Sequence, residues 1–152
     1  MTTIIGVISD THGLLRPEAV DVLLTCDQIV HAGDIGKPEV LAKLREIAPL
    51  TAIRGNIDNW ATDLPDCEVV KVEGRYLYVL HDLKELDLDP KAAGFDVVIS
   101  GHSHSPKVSE TNGVLYLNPG SAGPRRFTLP VALALLEVSA EHLDARILSL
   151  DG

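Results

Sequence analysis

The chain alternates short apolar runs with polar turns, and five of the runs close on residues able to bind a metal ion. Residues 4–9 lead into Asp10 and His12, residues 28–31 into Gly33 and Asp34, and residues 50–53 into Gly55 and Asn56. Residues 76–80 lead into His81, and residues 97–100 into Gly101, His102 and His104. Short apolar runs bounded by turn residues predict buried strands. Residues 14–25 carry an amphipathic helical pattern with Pro17 in the first turn, where a missing N–H costs nothing. A second helix is predicted over 38–47, stopping before Pro49.

Further along, residues 68–72 and 75–80 flank Glu73 and Gly74 and predict a hairpin, which breaks the strand–helix rhythm. Residues 82–95 are acidic, with Leu83, Leu86 and Leu88 but also Pro90 and Gly94, so only a short helix fits there. Strands are expected at 107–111 and 114–117 around Asn112 and Gly113, and a last pair at 130–138 and 142–150. The fold class is therefore α/β, with two sheets packed face to face and helices outside.

Open sheets with a parallel core gather ligands beyond the carboxyl ends of their strands, so side chains far apart in sequence meet at one edge. Of the six histidines, five (His12, His31, His81, His102 and His104) sit at or beside these strand ends, and only His142 lies apart. Taken singly, Asp10 reads as a turn or cap residue, Gly33 with Asp34 and Gly55 with Asn56 as turns, and His102 with His104 as loop polar groups. Those readings do not explain why all five clusters follow strands. Jointly they predict a site for two metal ions.

The remaining composition narrows the class. The 152 residues suit one domain spanning 1–152. No stretch approaches the roughly 20 apolar residues of a membrane span. The N-terminal residues read as the start of the first strand and not as a signal peptide, which leads us to expect a cytoplasmic protein. Cys26 and Cys67 form no C-x-x-C pair and are expected to act as small buried or half-buried hydrophobes. A net charge of −9 argues against an extended nucleic-acid surface or an anionic membrane as partner, although bound dications would invert the potential locally.

Six motifs occur in order: D-x-H at Asp10 and His12, H-x-G-D from His31 to Asp34, R-G-N-x-D from Arg54 to Asp58, the lone His81, G-H-x-H from Gly101 to His104, and N-P-G-S from Asn118 to Ser121. In these the chain resembles the calcineurin-like metallophosphoesterase superfamily, most closely its small bacterial and archaeal phosphodiesterases. The resemblance implies a four-layer α-β-β-α sandwich of two mixed sheets flanked by helices. It implies one metal held by Asp10, His12, Asp34 and His104 and a second by Asp34, Asn56, His81 and His102, with Asp34 bridging. The donor set, oxygen and imidazole without thiolate, suits Mn²⁺ first, with Fe, Zn or Ni also compatible.

The implied activity is hydrolysis of phosphodiester bonds, by attack of a hydroxide bridging the two ions, on a small phosphodiester or nucleotide-like substrate. Asp34, Asn56 and His102 would take part in the chemistry. Arg54 could stabilise charge or simply pair with a nearby carboxylate. Asp58 and His31 would support ligands from behind, and Arg125 could lie on the substrate rim. Many superfamily members place a histidine after the asparagine, where it can protonate the leaving group; here that residue is Ile57, which cannot. Asp82, after His81, stands where glycine is usual. Alternatives are a phosphomonoesterase or nuclease using the same site, or a protein-interaction scaffold like the retromer subunit of this superfamily. A homo-oligomer is a further possibility, with an exposed edge strand or apolar patch as the place to look.

Overall fold

The computed structural model describes residues 1–126 and 128–150. Among these residues, ten strands form two mixed five-stranded sheets. The first sheet contains β1 (Thr3–Ile8), β2 (Gln28–His31), β3 (Leu50–Ala52), β9 (Ala132–Val138) and β10 (Leu143–Ser149), in the spatial order β10-β9-β1-β2-β3. The second contains β4 (Cys67–Val72), β5 (Arg75–Leu80), β6 (Val97–Ile99), β7 (Lys107–Thr111) and β8 (Val114–Asn118), in the order β4-β5-β6-β8-β7. Parallel pairs run from the centre to one edge of the first sheet, β1 with β2 and β2 with β3, and occupy the centre of the second, β5 with β6 and β6 with β8.

Burial on both faces explains why the central strands are almost wholly apolar. Ile5, Val7 and Val30 of the first sheet meet Leu77, Val79, Val97 and Ile99 of the second, forming the core between the sheets. On the opposite face of the first sheet, Ile8, Ile29 and Leu133 pack against α1 (Pro17–Leu23) and α2 (Pro38–Ile47) through Ala19, Leu23, Val40, Leu41 and Leu44. Gly6 permits this close approach, since a Cβ there would run into the Leu23 side chain. The outer face of the second sheet carries a thinner layer, a single 3-10 turn at Leu83–Glu85, with Leu86 packed on Leu80, Val98 and Val114.

The helix expected at 14–25 is shorter than its pattern. Arg16 is extended, as a residue before proline prefers, so the helix starts at Pro17, and Leu14 closes a turn on Thr11 instead. At the other end the Thr25 hydroxyl bonds back to the Val22 carbonyl as the helix gives out. The segment 82–95 forms the 3-10 turn and then a further turn, from which Phe95 stacks on Tyr78 at 4.9 Å. Cys26 is half-buried as expected, but Cys67 is exposed because it opens β4, an edge strand. No helix among the described residues is long and apolar enough to cross a membrane.

Candidate metal centre

The strand order brings the carboxyl ends of β1, β2, β5 and β6 to one edge, and the loops leaving them are laced together. Asp10 N–H donates to the Gly33 carbonyl, His12 N–H to Asp34 and Gly13 N–H to Ile35, while Gly101 N–H donates to the His81 carbonyl. Left-handed backbone is concentrated here. Asp10, His12, Asp34, His102 and His104 all have φ between 47° and 70°, whereas the other non-glycine residues with positive φ among those described, Glu73 and Asn112, sit in hairpin turns. Such conformations are costly for L-residues and persist only when surrounding contacts impose them.

Those contacts aim the side chains. Asp10 is fully buried, and its Oδ2 accepts from the Ser9 hydroxyl at 2.8 Å and from His102 N–H at 3.1 Å. Its other oxygen, Oδ1, has no hydrogen-bond partner although it is buried. Around it stand three imidazole nitrogens: His104 Nε2 at 3.4 Å, His12 Nε2 at 3.8 Å and His81 Nε2 at 3.9 Å. Asp34 lies between the same rings, its Oδ2 at 3.2 Å from His81 Nε2 and 3.6 Å from His12 Nε2, while its Oδ1 accepts from Ile57 N–H. His81 places Nδ1 at 2.8 Å from the Ala32 carbonyl, so that nitrogen carries a proton and Nε2 is turned toward the carboxylates.

Burial alone would raise the Asp34 pKa, but His81, Ile57 N–H and His12 together lower it, so Asp34 is a carboxylate. Burial likewise lowers the His104 pKa, assisted by Arg126 and His12 and opposed by Asp10, and the net direction is down. Two groups of potential ligands result, Asp10 with His12 and His104, and Asp34 with His81 and His102. Three of the orphaned atoms, Asp10 Oδ1, His12 Nε2 and His81 Nε2, face one another here and are buried polar groups that a protein leaves unpartnered only at a cost of about 1–3 kcal/mol each. Divalent cations would satisfy all of them, so the donor set fits a pair of metal ions.

The sequence-predicted residues are brought together except at the margins. Asn56 is exposed and lines a cleft of about 390 Å³ together with His81, His102, Arg54 and Asp82. Arg54 is paired with Asp66 at 3.0 Å. Asp58, 1 % exposed, accepts N–H groups from Ile35, Gly36 and Gly55, tying the loop of Asp34 to that of Asn56. His31 is fully buried and away from the cleft, taking Gly33 N–H on Nδ1 and meeting the Thr11 hydroxyl with Nε2. Arg125 and Arg126 are exposed, and it is Arg126 that acts on His104.

Sequence reasoning missed Ser9 and the reach of Asn118. The Asn118 amide donates to the Gly101 carbonyl and to Ser103 Oγ while its oxygen accepts from Gly120 N–H, and Ser121 Oγ donates to the Asp10 carbonyl. The N-P-G-S motif is thus the strut beneath the loop of His102 and His104. A polar pair, Ser9 then Asp10, at the end of an otherwise apolar strand was the only signal for Ser9.

Two facing mixed sheets with buried carboxylates and imidazoles at one shared edge define a metallophosphoesterase scaffold. The sequence profile of the calcineurin-like phosphoesterase superfamily domain matches residues 4–141, and the chain belongs to that superfamily. It is 35% identical over 158 residues, covering 95% of this chain and 91% of the other, to a probable metallophosphoesterase of Methanothermobacter thermautotrophicus. A phosphodiesterase of Methanocaldococcus jannaschii is 26% identical over 136 residues, covering 76% of this chain and 82% of its own. Among solved structures, Vps29 of Chaetomium thermophilum superposes with a TM-score of 0.79 at 21% identity, covering 96% of this chain and 94% of its own.

Proposed function

We propose that this protein hydrolyses phosphodiesters at a two-metal centre, with Asp10, His12, Asp34 and His104 holding one ion, Asp34, Asn56, His81 and His102 the other, and Mn²⁺ as the first candidate. The observation that carries the reading is the Asp10 Oδ1 atom, buried, unpartnered and ringed by three imidazole nitrogens. Asp34 faces rings of both groups and is suited to bridge them. Bound divalent ions there would supply Lewis-acid charge and lower the pKa of water enough to give a nucleophile at neutral pH.

The chain's own residues set which ester is accepted. Besides Arg54, which is tied to Asp66, the cleft beside Asn56 presents the carboxylates of Asp66, Asp82 and Glu85. A monoester dianion approaching that rim meets more repulsion than a diester monoanion, which favours the diester. The phosphodiesterase name of the Methanocaldococcus relative agrees. Ile57, 41 % exposed after Asn56, offers no proton to a leaving group, so good leaving groups should react fastest. Asn56, lining the same cleft as His81 and His102, would donate a hydrogen bond to a phosphoryl oxygen bound there.

The test is hydrolysis of a chromogenic diester and the matching monoester by metal-stripped protein, with Mn²⁺ restored and with Asp34→Ala alongside. Diester turnover that needs metal, exceeds monoester turnover and disappears in the variant supports the reading. No turnover with any divalent ion would turn the choice to a protein-interaction scaffold, a reading that the likeness to Vps29 keeps in view.

A further inference from the structure

The thin outer layer of the second sheet leaves a trough of about 720 Å³ running down that face from the metal centre. His102 and Asp82 line both the trough and the cleft beside Asn56, with Nε2 of one 3.8 Å from Oδ2 of the other, so the trough and the cleft adjoin across this pair. The register of β7 on β8 puts Lys107 opposite Asn118, Ser109 opposite Tyr116 and Thr111 opposite Val114, which places these residues on the outer face as one wall and floor. The 3-10 turn supplies the other wall through Leu83 and Lys84. Neither Lys84 nor Lys107 makes an ion pair among the described residues, and the hydroxyls of Ser109, Thr111 and Tyr116 have no protein hydrogen bond there.

A trough with an aromatic floor, free hydroxyls and two unpaired ammonium groups, in a chain of net charge −9, is not a neutral gap in the surface. Its volume falls in the range of small-molecule sites. We infer that the trough is a second substrate subsite that holds one arm of the phosphodiester, a nucleoside-sized group bearing a further phosphate. The ring lies against Tyr116, sugar hydroxyls meet Ser109 and Thr111, and the additional phosphate is held between Lys84 and Lys107. The metal centre then fixes the scissile phosphate while the trough selects what is attached to it. The inference rests on the phosphodiesterase reading and specifies its substrate class.

The experiment compares p-nitrophenyl diesters that differ only in the second arm, methyl, nucleoside or phosphorylated nucleoside, using the Mn²⁺-loaded full chain. Wild-type kcat/KM should rise by about tenfold from methyl to nucleoside and again with the extra phosphate. Ser109→Trp, which fills the trough, should collapse that preference mainly through KM, and Lys84→Glu with Lys107→Glu should remove the gain from the extra phosphate. Glu110→Gln, on the other face of β7, should keep the preference. Equal kcat/KM for all arms, or equal losses for all arms in Ser109→Trp, overturns the subsite while leaving the phosphodiesterase reading intact. If no diester is cleaved, that reading fails instead, and equilibrium dialysis of adenosine monophosphate against wild type and Ser109→Trp decides the trough: binding lost in the variant supports it, and no binding overturns it. A wild-type dimer that Ser109→Trp dissociates in sedimentation would assign the trough to a second copy and also overturn it.

Discussion

His81 Nε2 stands 3.2 Å from Asp34 Oδ2 without a hydrogen bond aligned between them, while Nδ1 of the same ring faces the Ala32 carbonyl at 2.8 Å. One nitrogen is committed to the backbone and the other is aimed, with its neighbouring carboxylate, at a common point. Without metal, burial is the largest influence on His81 and lowers its pKa, but Asp34, the Ala32 carbonyl and Asp10 together outweigh it and hold the value at about 9. At neutral pH the ring is an imidazolium, so a cation must displace a proton to reach Nε2.

Metal affinity should therefore climb with pH up to about 9, and binding at pH 7 should release about one proton from this ring. Titration calorimetry of Mn²⁺ in two buffers of different ionisation enthalpy measures the release. His81→Asn should lose most of the buffer dependence, and identical heats for wild type in both buffers would contradict the assignment.

Asp58 gathers three backbone N–H groups from the two loops that carry Asp34 and Asn56. Truncation to alanine leaves buried donors without acceptors, for which a destabilisation of about 2–4 kcal/mol is expected. Urea unfolding of the metal-free protein reads it. Asp58→Asn, which keeps one acceptor oxygen, should lose less, and a change below about 0.5 kcal/mol for alanine would remove Asp58 from the framework of the site.

Gly55 is required for closeness: a Cβ there would collide with the Asp34 carboxylate and backbone. Gly55→Ala should thus displace Asp34 and weaken metal binding by more than about tenfold, with a smaller effect on the unfolding midpoint of the metal-free protein. A variant that binds Mn²⁺ as wild type does would show that Asp34 is not held against this loop.

How much of this was legible in the sequence depends on the range of the interactions involved. Residues 38–47 and both hairpins of the second sheet were readable because proline, Glu73 with Gly74 and Asn112 with Gly113 punctuate them locally. The gathering of Asp10, His12, Asp34, His81, His102 and His104 at one edge was readable because each lies just beyond the end of a strand. The early end of α1 was not, since an apolar pattern extends across Leu14 and Leu15 while Pro17 alone sets where the helix begins. Nor were the contacts of Asn118 with Gly101 and Ser103, which depend on β8 lying beside β6. The trough beside the 3-10 turn was equally hidden, because a run of acidic residues with three leucines does not announce how little of a sheet it will cover.

Arg54 offered two readings, charge stabilisation at phosphorus or a local ion pair. Its guanidinium meets Asp66, which is 80 % exposed, at 3.0 Å, and an exposed pair of this kind contributes at most about 1 kcal/mol. Arg54→Ala should keep turnover within about threefold of wild type, since the charge is already paired with Asp66 at the rim of the cleft. Diester kinetics decide it: a loss of kcat beyond about a hundredfold with little change in KM would return Arg54 to the transition state.

His31 gives the last prediction, on stability. The ring is fully buried, and burial, opposed by Asp10, Asp58 and Asp34 and assisted by His81, holds its pKa at about 4. Gly33 N–H occupies Nδ1, so the proton resides on Nε2 and is donated to Thr11, whose hydroxyl passes on to the Ile35 carbonyl. Protonation would set two donors against each other at Nδ1. In the unfolded chain the same ring titrates near 6.5, so between that pH and about 4 the unfolded state binds more protons and stability falls as the pH falls. The neutral ring's contribution is complete above pH 6.5 and amounts to roughly 3 kcal/mol across the shift. Unfolding of chelator-treated wild type and His31→Gln at several pH values isolates it. The wild-type free energy should drop more steeply than the variant's between pH 6.5 and 4, and parallel curves would mean that His31 is not held neutral by the fold.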